Sequence, residues 1–130
     1  NLYAKQKGVK ALVENHGDLF SNVENHLNIR KEIPDKNLGL LADFGNYPDN
    51  AVRYEALEKI APYTRLVSAK TKDFSEEMEH VTYDFGQCIR IFEKAGYKGI
   101  YSLEQWGKPN PNYDYEKIAD WVIREININI

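Results

Sequence analysis

The chain has 130 residues, enough for one compact domain and too few for two. Lys and Arg total 17 against 20 Asp and Glu, a net charge of −3 without the basic stripe of a nucleic-acid binder, and no apolar run approaches the roughly 18 residues of a membrane span. The single cysteine, Cys88, excludes an internal disulfide framework and a multi-cysteine zinc site, while two Trp and nine Tyr argue against disorder.

Residues 1–6 read as the tail of a helix halted at Gly8, with Lys5 and Lys7 where cations favour a helix C-terminus. A chain that opens inside a helix, without initiator Met or targeting segment, is expected to be a piece of something longer. The short apolar run 9–13 reads as a strand and leads to Glu14. Residues 19–29 place Leu19, Phe20, Val23, Leu27 and Ile29 at roughly helical spacing, until Pro34 and Asp35-Lys36-Asn37 break the chain. A second apolar run, 38–42, ends at Asp43. Asn50 is the expected cap of a helix over 51–60, with Val52, Leu57 and Ile60 on one face and Pro62 as its stop. Residues 65–70 form the third expected strand, followed by an acidic loop in which His80 reads as solvated. Asp84 can cap a helix through Phe85, Ile89, Ile91 and Phe92, with Cys88 in its core, ending at Gly96. Residues 97–103 read as the fourth strand, ending at Glu104. A loop with Pro109 and Pro111 then leads to a last helix over 113–126, whose apolar face is Tyr115, Ile118, Ala119, Val122, Ile123 and Ile126.

The order is strand then helix, four times over. Continuous apolar runs suit strands covered on both faces, which points to an α/β protein with a parallel sheet. A four-stranded open sheet and half of an eight-stranded (β/α) barrel both fit.

In either architecture, functional groups collect at the carboxyl ends of the strands. Those positions hold Glu14, Asp43, the segment from Ser68 to Lys72, and Glu104. Three converging carboxylates need a cation or shared protons, because a buried unpaired charge is costly. A hard divalent ion such as Mn or Mg is one answer, and solvated caps for the following helices are the other. Lys70 fits two compatible roles: stabilising a developing oxyanion, or neutralising the carboxylate cluster. His16 and Asn46 lie just past these strand ends, facing the same rim, where either could bind a ligand hydroxyl; turn chemistry with Gly45 is the competing reading of Asn46. Trp106 could stack on a flat ligand face or serve as packing. The second Glu-Asn-His triplet, at Glu24-Asn25-His26, reads as coincidence on a helix.

Four segments together resemble the sugar phosphate isomerase/epimerase proteins of the xylose isomerase-like TIM barrel superfamily, which also includes the endonuclease IV type of nuclease. They are Val13-Glu14-Asn15-His16-Gly17, Leu41-Ala42-Asp43-Phe44-Gly45-Asn46, Val67-Ser68-Ala69-Lys70 and the run from Ala95 to Glu104. The resemblance implies that residues 1–130 are one (β/α)4 unit, the second half of the barrel, with the amino-terminal half absent. It also implies a metal set of Glu14, Asp43 and Glu104, for Mn, Mg, Co or Zn, with Ser68 standing where many members carry a His ligand. Glu14 and Glu104 would exchange a proton at the carbon next to a carbonyl, through an enediolate, with Lys70 as the electrostatic aid.

The expected substrate is a sugar or sugar phosphate, with neither nucleic acid nor membrane as partner. The loop over residues 107–112, with Lys108 and its backbone amides, is a candidate phosphate site. Competing readings are an endonuclease IV-like phosphodiesterase, disfavoured by few histidines and the acidic balance, and a carbohydrate-binding relative that lost its chemistry, which Ser68 supports. The outer strands would expose unpaired edges, so the chain is expected to self-associate or to need its other half. The compartment is left open, with the cytoplasm favoured and an exported parent allowed.

Overall fold

The computed structural model describes residues 2–107 and 110–130, apart from the side chains of Asp18 and Phe20. Lys108 and Pro109, on which the phosphate-loop expectation falls, lie outside the described residues. The elements run α1 (Leu2–Gln6), β1 (Ala11–Glu14), α2 (Gly17–Phe20), α3 (Val23–Glu32), β2 (Leu38–Asp43), α4 (Asn50–Ile60), a 3-10 turn (Ala61–Tyr63), β3 (Thr64–Thr71), α5 (Phe85–Lys94), β4 (Ile100–Gln105) and α6 (Tyr115–Asn129). The four strands form one parallel sheet in the order β1-β2-β3-β4. In this sequential winding every strand is added beside the last, the order found in the wall of a (β/α) barrel.

Small and branched side chains on one face of the sheet create the core. Leu40, Ala42, Val67 and Ala69 are fully buried there, in one cluster with Leu57 and Ile60 of α4, Cys88, Ile89 and Phe92 of α5, and Ile118 and Val122 of α6. The opposite face carries Leu12, Leu41 and Leu66, half-buried, and Ile100, exposed. Side chains alternate along a strand, so the register that pairs Leu41 with Leu66 and Leu66 with Ile100 also sets Asp43 beside Ser68 and Lys70 beside Glu104 on that face.

Several boundaries differ from the sequence expectation for identifiable reasons. β1 starts at Ala11, because Val9 is exposed and its carbonyl accepts from the Asn37 side chain rather than from a strand. The helix expected over 19–29 divides into α2 and α3, with Asn22 capping α3 through the Glu24 N–H. Asp49, not Asn50, caps α4, its carboxylate accepting from the Val52 N–H at 2.9 Å. Tyr97 belongs to the end of α5: Gly96 takes φ +74°, which lets the Tyr97 N–H reach back to the Phe92 carbonyl. β4 therefore starts only at Ile100.

Two histidines are structural. His26 is fully buried and donates from Nε2 to the Val13 carbonyl at 2.7 Å, pinning α3 to β1, so the second Glu-Asn-His triplet has a packing role. His80 is not solvated. Its ring packs edge-on against Phe74 and Tyr83 and lies near Trp121. Its Nδ1–H donates to the Tyr83 carbonyl, and its Nε2 accepts from the Lys72 N–H. Protonation would convert that acceptor into a donor facing a donor, and burial already holds the pKa down at about 4. The unfolded chain would titrate near its ordinary 6.5, so this histidine supports stability above that pH and loses it as pH falls towards 4. We expect a loss of about 2–3 kcal/mol between pH 7 and 4 in urea melts, after a discount for partial exposure, and a clearly smaller one in His80→Phe. Equal pH slopes in both proteins would exclude this origin.

Candidate active site

The strand ends meet at the carboxyl rim of the sheet. Lys70 of β3 lies at their centre, its side chain only 4% exposed, with Nζ 2.8 Å from Asp43 Oδ2 and 2.9 Å from Glu104 Oε1. The same ammonium donates to Asn46 Oδ1 at 3.1 Å. Asn46 in turn donates from Nδ2 to Glu14 Oε1 at 3.3 Å, and the Ser68 hydroxyl donates to Glu104 Oε2 at 2.7 Å. Glu14, Asn46, Lys70, Asp43, Glu104 and Ser68 thus form one continuous polar network drawn from all four strands and the loop after β2.

Local structure explains why each group is where it is. Asn15, fully buried just past β1, accepts from the Asp43 N–H at 2.7 Å and donates to the Asp43 carbonyl at 2.9 Å. Its amide acts as one further rung of the β1–β2 ladder and sets the Asp43 backbone. Asp43 Oδ1 then accepts from the Gly45 N–H at 2.7 Å, which leaves Oδ2 to the ammonium. That ion pair is close but not aligned as a hydrogen bond. Gly45 is required by space: a Cβ there would stand 2.7 Å from Lys70 Cδ and 2.9 Å from Cγ.

The loop after β2 is pegged from below. Phe44 is fully buried against Phe85 and Phe92, and the buried Arg53 donates from Nε to the Phe44 carbonyl at 2.7 Å. The Arg53 guanidinium also lies 4.1 Å from the centre of the Tyr83 ring. The Tyr83 hydroxyl donates to the Lys70 carbonyl, so the loop after β3 holds the lysine backbone in place.

Electrostatics follow this geometry. Burial pushes the Asp43 carboxyl above its ordinary range, against the pull of Lys70. Burial also works against the Lys70 ammonium, but the two carboxylates outweigh it and leave the lysine above its usual value. For Glu104, desolvation is outweighed by the Ser68 hydroxyl and by Lys70, so its pKa falls. His16, exposed and two residues past Glu14, adds to that fall. Trp106 is largely exposed, and its ring centre is 5.8 Å from Lys70 Nζ, on the ammonium rather than against the core.

All eight sequence candidates at the strand ends, Ser68 included, therefore reach one rim. The carboxylates do not converge on one point. Lys70 separates Asp43 from Glu104, and among the described residues Glu14 is linked to them through Asn46. Among the described residues no three His, Cys, Asp or Glu side chains are placed to hold a metal ion. Asn15 and Arg53 were given no role by sequence reasoning. An Asn directly behind a strand was a usable signal for the first; nothing local marks the second.

The chain belongs to the xylose isomerase-like TIM barrel family, whose sequence model matches residues 1–125. That family includes sugar isomerases and epimerases as well as endonuclease IV-like members. Among solved structures, the chain is similar to a xylose isomerase-like TIM barrel protein from Mycobacterium smegmatis, solved in complex with magnesium. Identity is 16% and the TM-score 0.68, over 98% of this chain and 47% of that one, so the chain spans about half its length. No curated protein matches the chain. Among the described residues, no helix is long and apolar enough to cross a membrane.

Proposed function

We propose that the rim belongs to an enzyme of the sugar or sugar-phosphate isomerase/epimerase type, which moves a proton at a carbon next to a carbonyl. The observation that carries this reading is the ammonium of Lys70 fixed between carboxylates at the strand ends. Glu14 and Glu104 stand on the two outer strands, so they can address a bound ligand from different sides. Proton removal beside a carbonyl develops negative charge on its oxygen, and a preorganised ammonium stabilises that charge without reorganising. As the oxygen draws on Lys70, Glu104 loses part of the interaction that lowers its pKa and becomes a stronger base. Asn46 and His16 would bind sugar hydroxyls, and Trp106 the face of a sugar ring.

A divalent ion would supply charge stabilisation of the same kind. The donor set as arranged does not fit one, because the ammonium stands between the carboxylates expected to share it. The closed ion cluster and Ser68 favour, as second reading, a carbohydrate-binding relative without chemistry.

The test is solvent-deuterium incorporation into a panel of ketoses, aldoses and their phosphates by the protein carrying this chain. Exchange at the carbon beside the carbonyl is expected, with a fall of at least about 100-fold in both Glu14→Gln and Glu104→Gln. No exchange with any sugar, but ring-specific binding lost in Trp106→Ala, would establish the second reading. Cleavage of an abasic-site duplex would replace both with a nuclease.

Among the described residues, β1 and β4 each pair on one side only. We propose that a second copy or the remaining half of a barrel covers those edges. Sedimentation of residues 1–130 alone should then show association, and a compact monomer would count against it.

A further inference from the structure

We propose that the Lys70 ammonium is the resident cation of this site, and that it excludes the divalent ion which the fold family implies. The accounting of oxygens carries this. Asp43 Oδ1 accepts from the Gly45 N–H and Oδ2 faces Lys70 Nζ at 2.8 Å. Glu104 Oε1 faces the same ammonium at 2.9 Å, and Oε2 accepts from Ser68 at 2.7 Å. All four oxygens of the two carboxylates are engaged within the protein. A divalent ion on any two of them would sit within roughly 2.0–2.6 Å of each, and so directly beside a fixed positive charge.

The ammonium cannot readily withdraw. Its stem fills the space left by the missing Cβ of Gly45, and its carbonyl is held by the Tyr83 hydroxyl. The Trp106 ring lies 5.8 Å from its charged end. Ser68 completes the arrangement: an imidazole used as a metal ligand would present a lone pair to the ion, whereas the hydroxyl here donates its proton to Glu104. The inference concerns ion binding alone and stands whether or not the rim catalyses sugar chemistry.

Manganese alone is the probe, read by electron paramagnetic resonance and by calorimetry on the protein carrying this chain and on Lys70→Met. The wild type is expected to bind no stoichiometric Mn at 1:1 loading, in the range of about 0.1 mM. Lys70→Met removes the positive charge and leaves the two carboxylates that it paired with, Asp43 and Glu104, free to take an ion, and it should gain at least about tenfold in affinity together with an upward melting shift on adding Mn. Stoichiometric binding to the wild type, abolished in Asp43→Asn, would overturn the proposal. So would absence of binding in both proteins, since something other than the ammonium would then keep the ion out. If Lys70→Met is too unstable to isolate, Asn46→Asp serves instead, because it adds a further carboxylate beside the retained ammonium. That variant should still bind no Mn, and stoichiometric binding would refute the exclusion. The deuterium-exchange assay, run with and without a chelator, reports on catalysis separately from these outcomes.

Discussion

Lys70→Met is expected to destabilise the protein by about 3–5 kcal/mol at pH 7, the usual cost of removing one partner of a buried ion pair. Asp43 is completely buried, and the ammonium 2.8 Å away is the only positive charge placed against it in the described network. Glu104 suffers less, because its side chain is 39% exposed and keeps the Ser68 hydroxyl. The deficit should therefore trace to Asp43. In a double-mutant cycle, Asp43→Asn/Lys70→Met should be more stable than Lys70→Met alone, because the orphaned charge is gone. The sign of the pH dependence follows from burial. The Asp43 carboxyl is already raised, so its ionisation opposes folding as pH climbs, and losing Lys70 enlarges that opposition. The gap between wild type and Lys70→Met should narrow as the pH is lowered towards 5. Urea melts at several pH values check this; a strictly additive cycle with a pH-independent gap would show that the ion pair contributes nothing to stability.

Phe44→Ala is expected to cost a similar amount, about 3–5 kcal/mol, with a fall in Tm of about 10–20 °C. The ring is fully buried, 5.7 Å from both Phe85 and Phe92 between centroids, so truncation leaves a cavity where the sheet meets α5. The effect should reach the rim as well. Phe44 stands between Asp43 and Gly45, its N–H donates to the Ser68 carbonyl and its own carbonyl receives Arg53. A loose residue 44 frees the turn that aligns Asp43 and clears the path of Lys70. Phe44→Leu, which keeps most of the volume, should lose less than half as much. Calorimetry of the two variants decides the matter, and equal losses would mean that ring packing is not what fixes the turn.

The strand ends were legible because a continuous apolar run that stops at a carboxylate is a strong local pattern; Glu14, Asp43 and Glu104 all follow one. The four-fold alternation of strand and helix was legible for the same reason, as were the Asp84 cap and the buried Cys88. What chemistry the carboxylates perform together was not legible. Whether Lys70 neutralises the cluster or merely neighbours it depends on the pairing of Lys70 with Glu104, a register between strands more than 30 residues apart that no local spacing encodes. His80 illustrates the opposite failure. Its neighbours in sequence are acidic and exposed, but its neighbours in space are Phe74, Tyr83, Phe85 and Trp121. Tertiary packing overrode composition there, and again at Arg53, whose charge is met by backbone carbonyls and the Tyr83 ring.

The order of the strands has a further meaning for motion. Among the described residues, β2 and β3 are bonded on both sides, and they supply Asp43, Ser68 and Lys70; β1 and β4 have one bonded side each, and they supply Glu14 and Glu104. Local opening begins where hydrogen bonding is thinnest. Amide exchange in residues 1–130 alone should therefore be slowest under the charged centre and faster beneath Glu14 and Glu104, so that the two flanking acids stand on the more yielding parts of the framework.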